Sequence, residues 1–350
     1  MTTPVPLICK GSGGEPFYLP RHLGGVANQL ILGPSGSGKS VLMGAMVAAD
    51  TGIPGMRILW LDIGRSSWVL GHALGATYQE PGDTESPPLW PFMHLDDPDG
   101  LAWLFDWFSR LFARWQITLN EVQAADLTRA LELARSQRLR TMTLFAELVQ
   151  DPRLRAVLRY YVRGGTWGHI YDGNAAAPNP DLLIYELGSL IRLGDRAYGP
   201  AIELILNDAI VRMRDHLPLL IYVDEARHML NDPVTRTWLH DGIREVRKHN
   251  AGIIMATQAL SDVVNSPDAE LLLESAPLKV FLPNPEARGE FVRSIYLKLG
   301  LSEREVDIIA NAEPRQQYYF HSAYGRRLFS LQLGPIARRY IANTSYIKEA

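Results

Sequence analysis

The chain has 350 residues, 47% of them hydrophobic and 21% charged, and its formal net charge is −3. This composition predicts one large or two modest globular domains, and it excludes a broad basic surface for nucleic acid. The single cysteine, Cys9, excludes a disulfide framework and favours a reducing cytoplasm. No apolar run approaches the ~20 residues that span a bilayer, and the first residues lack a signal-peptide pattern, so we expect membrane association only through partners.

The first sixty residues alternate between patterns typical of strands and of a helix. QLILG (29–33) and residues 57–61 are apolar and predict strands, and KSVLMGAMVAA (39–49) between them predicts a helix. This alternation predicts a right-handed βαβ unit in a parallel sheet. The Pro- and Gly-rich residues 80–91 predict a loop.

The next seventy residues predict helices and no strand. Thr118 and Glu121 form a capping-box pattern for a second helix, and Thr143 is a candidate cap for a third. We therefore predict an all-α subdomain at 97–170, inserted into an α/β main domain that comprises residues 1–96 and 171–350. The first predicted helix has one broad apolar face, made by Leu101, Leu104, Phe105, Phe108, Leu111, Phe112 and Trp115.

The second half of the chain returns to strands of a mostly parallel sheet. Ser302 and Glu305 form a further capping box, for a helix that runs to about Ala310. The other predictions are strands at 182–187, 221–225, 252–258 and 279–284, helices near 199–215 and 235–249, and a hairpin of 316–322 with 326–333.

Residues 33–40, GPSGSGKS, match the pattern G-x-x-x-x-G-K-[ST] between a predicted strand and a predicted helix. This context is the one that confirms a Walker A loop, and it favours nucleotide binding over a flexible Gly/Ser loop. We expect Lys39 to reach the β- and γ-phosphates of ATP and the Ser40 hydroxyl to ligate Mg²⁺. The predicted nucleotide-binding residues are Gly33, Pro34, Ser35, Gly36, Ser37, Gly38, Lys39, Ser40 and Val41.

Two adjacent carboxylates follow the buried strand pattern of residues 219–223. Asp224 can hold Mg²⁺ together with Ser40, and the charge of the metal then offsets that of the acid. Glu225 is the candidate that orients or deprotonates the attacking water. The alternative for Glu225 is an acid that only begins a helix.

Polar residues at two further positions are candidates for the same edge of the sheet. Gln258 ends a predicted strand and can donate to the γ-phosphate and accept from the water, or it is a loop-facing polar residue. Arg247 either complements a helix dipole, as Lys248 can, or acts as an arginine finger on the nucleotide of a neighbouring subunit. Asp62, with Arg65 close behind it, ends another strand and has a structural role or a supporting role at the nucleotide.

These motifs, in this order, resemble the CagE/TrbE/VirB ATPases of type IV secretion and conjugation systems. The segments that carry the resemblance are ILGPSGSGKSVLM, LDIGRSSWVLGHALGATY, RGGTWGHIYDGN, LLIYEL, IYVDEARHML, IREVRKHNAGIIMATQALSDVVNS and APLKVFLPNPEA. The resemblance covers nearly the whole chain, but only the carboxyl-terminal ATPase half of the family. It therefore implies that Met1 marks a truncated chain or a short homologue.

The resemblance implies a RecA-like P-loop NTPase fold and ATP hydrolysis that drives pilus biogenesis and substrate transfer. Lys39 and Ser40 match the Walker A pair, and Asp224 and Glu225 match the Walker B pair. Gln258 matches the glutamine of the TQ motif, and Arg247 matches the trans-acting arginine. The family often has an acidic–basic D-K-D-R-like pair after the second strand, whereas this chain has Asp62-Ile63-Gly64-Arg65.

The resemblance also implies partners and a location. These partners are the inner-membrane complex, the coupling protein and a second secretion ATPase, at the cytoplasmic face of the inner membrane. The expected assembly is a homo-oligomer, in the complete system a hexamer, whereas the isolated domain can be a nearly inactive monomer. Two other functions stay open at this point: a DNA-translocating motor of the FtsK or coupling-protein kind, and a nucleotide-gated scaffold without hydrolysis. Whether the chain binds DNA is left open.

Overall fold

The structure is a computed structural model that describes residues 7–23, 25–175, 180–231, 235–238, 242, 246–258, 260–265 and 269–342. The chain divides into two compact units. The first unit comprises Met1–Tyr78, Pro180–Ile184 and Arg212–Ala350, and the second comprises Gln79–Asn179 and Tyr185–Val211. Every residue of the candidate site described below belongs to the first unit.

In the described part of the chain, eleven strands form one sheet in the order β2-β1-β11-β10-β9-β3-β8-β7-β4-β6-β5. Neighbouring strands in the group β9-β3-β8-β7-β4 are parallel, and β10, β11, β1 and β2 extend this centre with antiparallel pairs. The strands are β1 Leu7–Gly11, β2 Pro16–Leu19, β3 Gln29–Leu32, β4 Arg57–Asp62, β5 Thr77–Gln79, β6 Leu182–Glu186, β7 Leu219–Val223, β8 Ala251–Thr257, β9 Leu278–Phe281, β10 Gln317–Ser322 and β11 Gly325–Leu331.

The central strands are buried because their sequences are almost continuously apolar. Every residue of β3, β4, β7 and β8 is buried, as is typical of parallel strands covered on both faces. In the register, Leu61 pairs with Val223, and Val223 pairs with Met255. The carboxyl ends of these strands therefore meet at one edge of the sheet, as the sequence predicts.

The described helices agree with most of the predicted ones. Two 3-10 helices, Val246–His249 and Pro285–Arg288, accompany them. The α-helices are α1 Lys39–Asp50, α2 Trp68–Ala73, α3 Gly100–Ala113, α4 Glu121–Ser136, α5 Met142–Leu148, α6 Pro152–Leu158, α7 Gly168–Tyr171, α8 Gly188–Arg192, α9 Asp195–Met213, α10 Arg227–Asn231, α11 Leu260–Val264, α12 Ala269–Ser275, α13 Glu290–Lys298, α14 Glu303–Asn311 and α15 Pro335–Ile341.

Two of the three predicted caps are wrong by a few residues. The helix predicted to begin at Thr118 is capped by Asn120, whose side chain accepts the backbone N–H of Gln123 and whose own N–H is accepted by the Gln123 side chain. Thr141, not Thr143, caps α5, because its hydroxyl accepts the N–H of Leu144. The box of Ser302 and Glu305 is confirmed.

The helical second unit extends beyond the predicted boundaries of 97–170. Helices α3, α5 and α7 contribute aromatic residues to its core, where the stacked rings of Phe108 and Phe145 are 4.5 Å apart. Residues 79–96 and 185–211 belong to this unit as well. Contacts between α3 and α9 join residues 185–211 to this unit: Trp107 donates to the carbonyl of Pro200, and Arg110 donates to Glu203 at 2.7 Å.

One predicted strand is shorter than expected, and one predicted helix lies partly outside the described residues. The strand predicted at 279–284 ends at Phe281. Of the helix predicted at 235–249, the structure describes residues 235–238, residue 242 and the 3-10 helix Val246–His249. Among the residues that the structure describes, no helix is both long enough and apolar enough to cross a bilayer.

Candidate functional site

The loop 33–40 joins β3 to α1, and its glycines are required by its conformation. Gly36 and Gly38 have φ angles of +76° and +107°, which residues with a Cβ rarely adopt. A Cβ added at Gly33 would lie 2.4 Å from the Cβ of Leu282, and one at Gly38 would lie 2.9 Å from the Tyr318 hydroxyl. The sequence therefore folds here into a tight turn directly before a helix N-terminus, the arrangement that binds anions.

Lys39, the first residue of α1, contacts both predicted acids. Its Nζ lies 3.0 Å from Oδ1 of Asp224 and donates a hydrogen bond to the carboxylate of Glu225. The residue is only 7% exposed, so it is a buried cation that needs anionic partners. Residues from the beginning of α1 and the end of β7 thus converge at one point.

Asp224 is a buried acid in a crowded electrostatic environment. Burial raises the pKa of its carboxyl to about 6, and the nearby carboxylates of Asp62 and Glu225 add to this rise, whereas Lys39 opposes it. Additional positive charge nearby would stabilise the ionised form of this carboxyl. This donor is therefore suited to a divalent cation.

Glu225 has a backbone conformation that is uncommon for a residue with a side chain. Its φ angle is +51°, and its N–H donates to Oδ1 of Asp224 at 2.9 Å. The Glu225 carboxylate accepts hydrogen bonds from Lys39 and from the side-chain amide of Gln258, which follows β8. Strained residues of this kind concentrate at functional sites, which makes Glu225 a candidate for chemistry rather than only for beginning a helix.

Asp62 is engaged by its own loop. Its fully buried carboxylate accepts the hydroxyl of Ser66 at 2.8 Å and the backbone N–H of Ser67 at 2.8 Å. Burial raises the pKa of Asp62, although the bonds from both serines act in the opposite direction. The carboxylate therefore holds the turn after β4, and it affects the site through its charge near Asp224.

The side chain of Arg247 lies outside the described residues. Its backbone belongs to the 3-10 helix Val246–His249. The neighbouring Lys248 is exposed. The trans-acting role predicted for Arg247 stays a prediction.

A cavity of about 1070 Å³ lies beside the loop 33–40 and is lined by both predicted and unpredicted residues. Ser40, Val41, Asp224, Glu225 and Gln258 all line it. The glycine turn, the buried lysine and the hydroxyl and carboxylate oxygens fit a nucleotide with Mg²⁺, since Mg²⁺ is bound through one or two protein oxygens together with phosphates. Ser40 and Asp224 are the residues that would hold the metal.

Sequence reasoning missed two residues that contact the loop 33–40. Arg315 lines the same cavity and donates to the loop, and the buried Tyr318 donates to the loop through its hydroxyl. Both lie near the start of the predicted hairpin, and no motif distinguishes them there. Their proximity to a loop some 280 positions away in the chain is a consequence of the sheet order, in which β10 is separated from β3 only by β9.

A glycine turn between β3 and α1, a lysine within it and an acid after the parallel strand β7, which β8 separates from β3, define a P-loop NTPase domain of the RecA-like kind. No protein-family model matches the chain. Conjugal transfer protein TrbE of Rhizobium radiobacter is 31% identical over 344 residues, which cover 96% of this chain and 42% of that protein. Type IV secretion system protein virB4 of Bartonella henselae is 24% identical over 321 residues, which cover 89% of this chain and 40% of that protein.

Two solved structures share the fold. VirB4 of Thermoanaerobacter pseudethanolicus superposes with a TM-score of 0.74 at 20% identity, covering 94% of this chain and 97% of the other. The plasmid coupling protein TrwB, in complex with ADP and Mg²⁺, superposes with a TM-score of 0.60 at 16% identity, covering 88% and 86%. The chain belongs to the TrbE/VirB4 family of type IV secretion and conjugal transfer proteins. It spans between 40% and 51% of the length of the first curated relatives it matches.

Proposed function

We propose that this domain binds ATP with Mg²⁺ and hydrolyses it, as the motor domain of a type IV secretion or conjugal transfer system. The observation that carries the proposal is the contact of one buried ammonium, that of Lys39, with both Asp224 and Glu225 at the end of the glycine turn. Conjugal transfer and type IV secretion are the processes named for the relatives. In this proposal hydrolysis drives pilus biogenesis and substrate transfer.

The residues divide the chemistry between them. The N–H groups of the glycine turn and the ammonium of Lys39 bind the β- and γ-phosphate oxygens and neutralise charge that develops during transfer. Ser40 and Asp224 hold Mg²⁺, which supplies further charge neutralisation when bound. Glu225 orients the attacking water and accepts its proton, while Gln258 holds the Glu225 carboxylate in place. The products are ADP and inorganic phosphate.

The assembly and its location are part of the proposal. We infer a homo-oligomer, a hexamer in the complete system, in which Arg247 reaches the nucleotide of the neighbouring subunit. The partners are other components of the secretion system: the inner-membrane complex, the coupling protein and a second secretion ATPase. These partners hold the domain at the cytoplasmic face of the inner membrane.

A second candidate function, DNA translocation, rests on the likeness of the fold to the coupling protein TrwB. The net charge of −3 does not favour it, because DNA binding depends on neutralising phosphates with basic residues. The higher sequence identity to TrbE also favours the first function.

One experiment tests the proposal and separates the two functions. The rate of ATP hydrolysis with Mg²⁺ is measured against protein concentration, with and without DNA. We expect a specific activity that rises with protein concentration and does not depend on DNA. Hydrolysis that requires DNA, with a binding affinity that falls steeply with salt, would support the translocase instead.

A further inference from the structure

Three consecutive carbonyl groups of the loop 33–40 accept hydrogen bonds from one distant segment, residues 313–318. The backbone N–H of Arg315 donates to the carbonyl of Ser37 at 3.0 Å, and Nε of Arg315 donates to the carbonyl of Gly36 at 3.1 Å. The hydroxyl of Tyr318 donates to the carbonyl of Gly38 at 3.3 Å, which also accepts the N–H of Leu42 in α1.

These hydrogen bonds also fix the N–H groups on the other side of the same peptide units. In a trans peptide the N–H and the C=O point in opposite directions, so a donor that holds the carbonyl also fixes the direction of the N–H. A loop that binds phosphate through its N–H groups needs these groups to converge before the ligand arrives, and fixing them in advance reduces the ordering cost of binding. Residues 313–318 are placed to do this.

Local hydrogen bonds hold the backbone on both sides of Arg315, whose own side chain is exposed. The carbonyl of Glu313 accepts the N–H groups of Gln316 and Gln317, and the N–H of Glu313 donates to the Gln317 side chain at 2.8 Å. The ring of Tyr318 is fully buried and stacks on Phe329 at 5.5 Å. Burial also raises the pKa of Tyr318, which keeps its hydroxyl protonated as a donor.

We propose that Arg315 and Tyr318 are positioning residues for the phosphates of the nucleotide, acting through the carbonyls of Gly36, Ser37 and Gly38. The inference rests on the proposed function, because it presumes that the loop binds a nucleotide. It assigns to the start of the carboxyl-terminal hairpin a part in ligand affinity that no local motif indicates. Neither side chain has to touch the phosphates for this role.

The test uses Tyr318→Phe, which removes one hydroxyl and keeps the stacked ring, and Arg315→Ala. The matched control is Arg288→Ala, since Arg288 is exposed and bonded to Asn311. The dissociation constant is measured by titration with a fluorescent ADP and Mg²⁺, and thermal unfolding is measured without nucleotide. We expect each of the first two variants to raise the dissociation constant about 2- to 10-fold, as for the loss of one hydrogen bond. The unfolding midpoint should stay near that of the parent, while the KM for ATP rises.

Arg315→Lys separates the hydrogen bond from charge. Lysine keeps the positive charge but has no donor at the position of Nε, so we expect it to bind nucleotide as weakly as Arg315→Ala. Full recovery with lysine would overturn the role through the Gly36 carbonyl. Equal binding by the parent, Tyr318→Phe and Arg315→Ala would overturn the whole inference. It would also be overturned if both variants bind more weakly and unfold at a clearly lower temperature than the parent, because a loss of stability would then explain the weaker binding. A parent protein that binds no nucleotide would instead refute the proposed function.

Discussion

The ammonium of Lys39 lies 3.0 Å from a carboxylate oxygen of Asp224, although Lys39 begins α1 and Asp224 follows β7, far along the chain. Both side chains are almost completely buried, and the same ammonium also reaches Glu225. One buried ammonium therefore pairs with both carboxylates. A change at any one of them should affect nucleotide chemistry in a way that a distant charge does not.

Replacing Lys39 by alanine removes the cation that faces the phosphates. We expect ATP hydrolysis to fall at least about 100-fold, because a preorganised charge is lost where the transition state needs it. The measurement is phosphate release with Mg²⁺ present, together with titration by a fluorescent nucleotide. Lys298→Ala, at an exposed lysine of the same unit, is the control that should behave as the parent does. Retained hydrolysis in Lys39→Ala would refute the assignment of the phosphate loop.

Glu225→Gln should separate binding from turnover. The amide keeps the size of the side chain but cannot accept the proton of the attacking water, so we expect nearly normal ATP binding and hydrolysis slowed by about 10²- to 10⁴-fold. Single-turnover kinetics at saturating ATP measure the step directly. The exposed Glu290→Gln provides the matched control. A rate within a few-fold of the parent would remove Glu225 from catalysis.

Mixed assemblies test the trans role of Arg247. A subunit with Arg247→Ala keeps its own phosphate loop, and a subunit with Lys39→Ala keeps its arginine. If the arginine acts on the neighbouring nucleotide, mixing the two inactive variants should restore part of the ATP hydrolysis. Native mass spectrometry verifies that mixed assemblies have formed. Verified mixed assemblies without any recovered activity would leave only the interaction of Arg247 with a helix dipole.

The contact of α9 with α3 should stabilise the second unit. Glu203 is nearly buried and accepts from Arg110 at 2.7 Å and from Arg114 at 3.0 Å. Removing the acid leaves two arginines without this partner, so we expect Glu203→Ala to lower the free energy of unfolding by about 3 kcal/mol. Urea denaturation measures the loss, with the exposed Glu132→Ala as the control. Equal stabilities would argue that residues 185–211 contribute little to this unit.

The carboxylate of Asp126 predicts a dependence of stability on pH. Burial raises the pKa of Asp126, but the N–H groups of Asp151 and Gln150 and the side chain of Arg129 outweigh this effect and lower it. A lowered folded-state pKa contributes stability above the ordinary value of about 4, and this stability is lost as the pH falls through the lowered pKa.

Urea denaturation between pH 3 and pH 7 checks the contribution of this carboxylate. We expect Asp126→Asn to lower stability at neutral pH and to flatten the loss of stability toward acid. The exposed Asp106→Asn should keep the steeper dependence of the parent. Identical profiles for the Asp126 and Asp106 variants would contradict the prediction.

The parts of the fold that could be predicted are those set by local patterns and by one topological rule. The turn 33–40 and the acids after β7 follow from a motif and an apolar run, and parallel strands necessarily bring their carboxyl ends to one edge. The cap of α4 was predicted two residues too early, because the pattern of Thr118 and Glu121 is local, whereas the hydrogen bonds between Asn120 and Gln123 are seen only in the folded chain.

Other features could not be read from the sequence because they depend on contacts between distant segments. The helix α9 joins the second unit through Trp107, Arg110 and Glu203, and no change in composition marks this. Arg315 and Tyr318 contact the phosphate loop only because the sheet order places β10 near β3.

The most direct test of the central claim is a metal titration monitored by electron paramagnetic resonance, with Mn²⁺ in place of Mg²⁺. If the loop, Lys39 and Asp224 converge on one metal–nucleotide complex, the parent should bind one Mn²⁺ per chain only when ADP is present. Asp224→Asn and Lys39→Ala should each lose that ion. Binding of Mn²⁺ that does not require ADP, or that persists unchanged in both variants, would contradict the account.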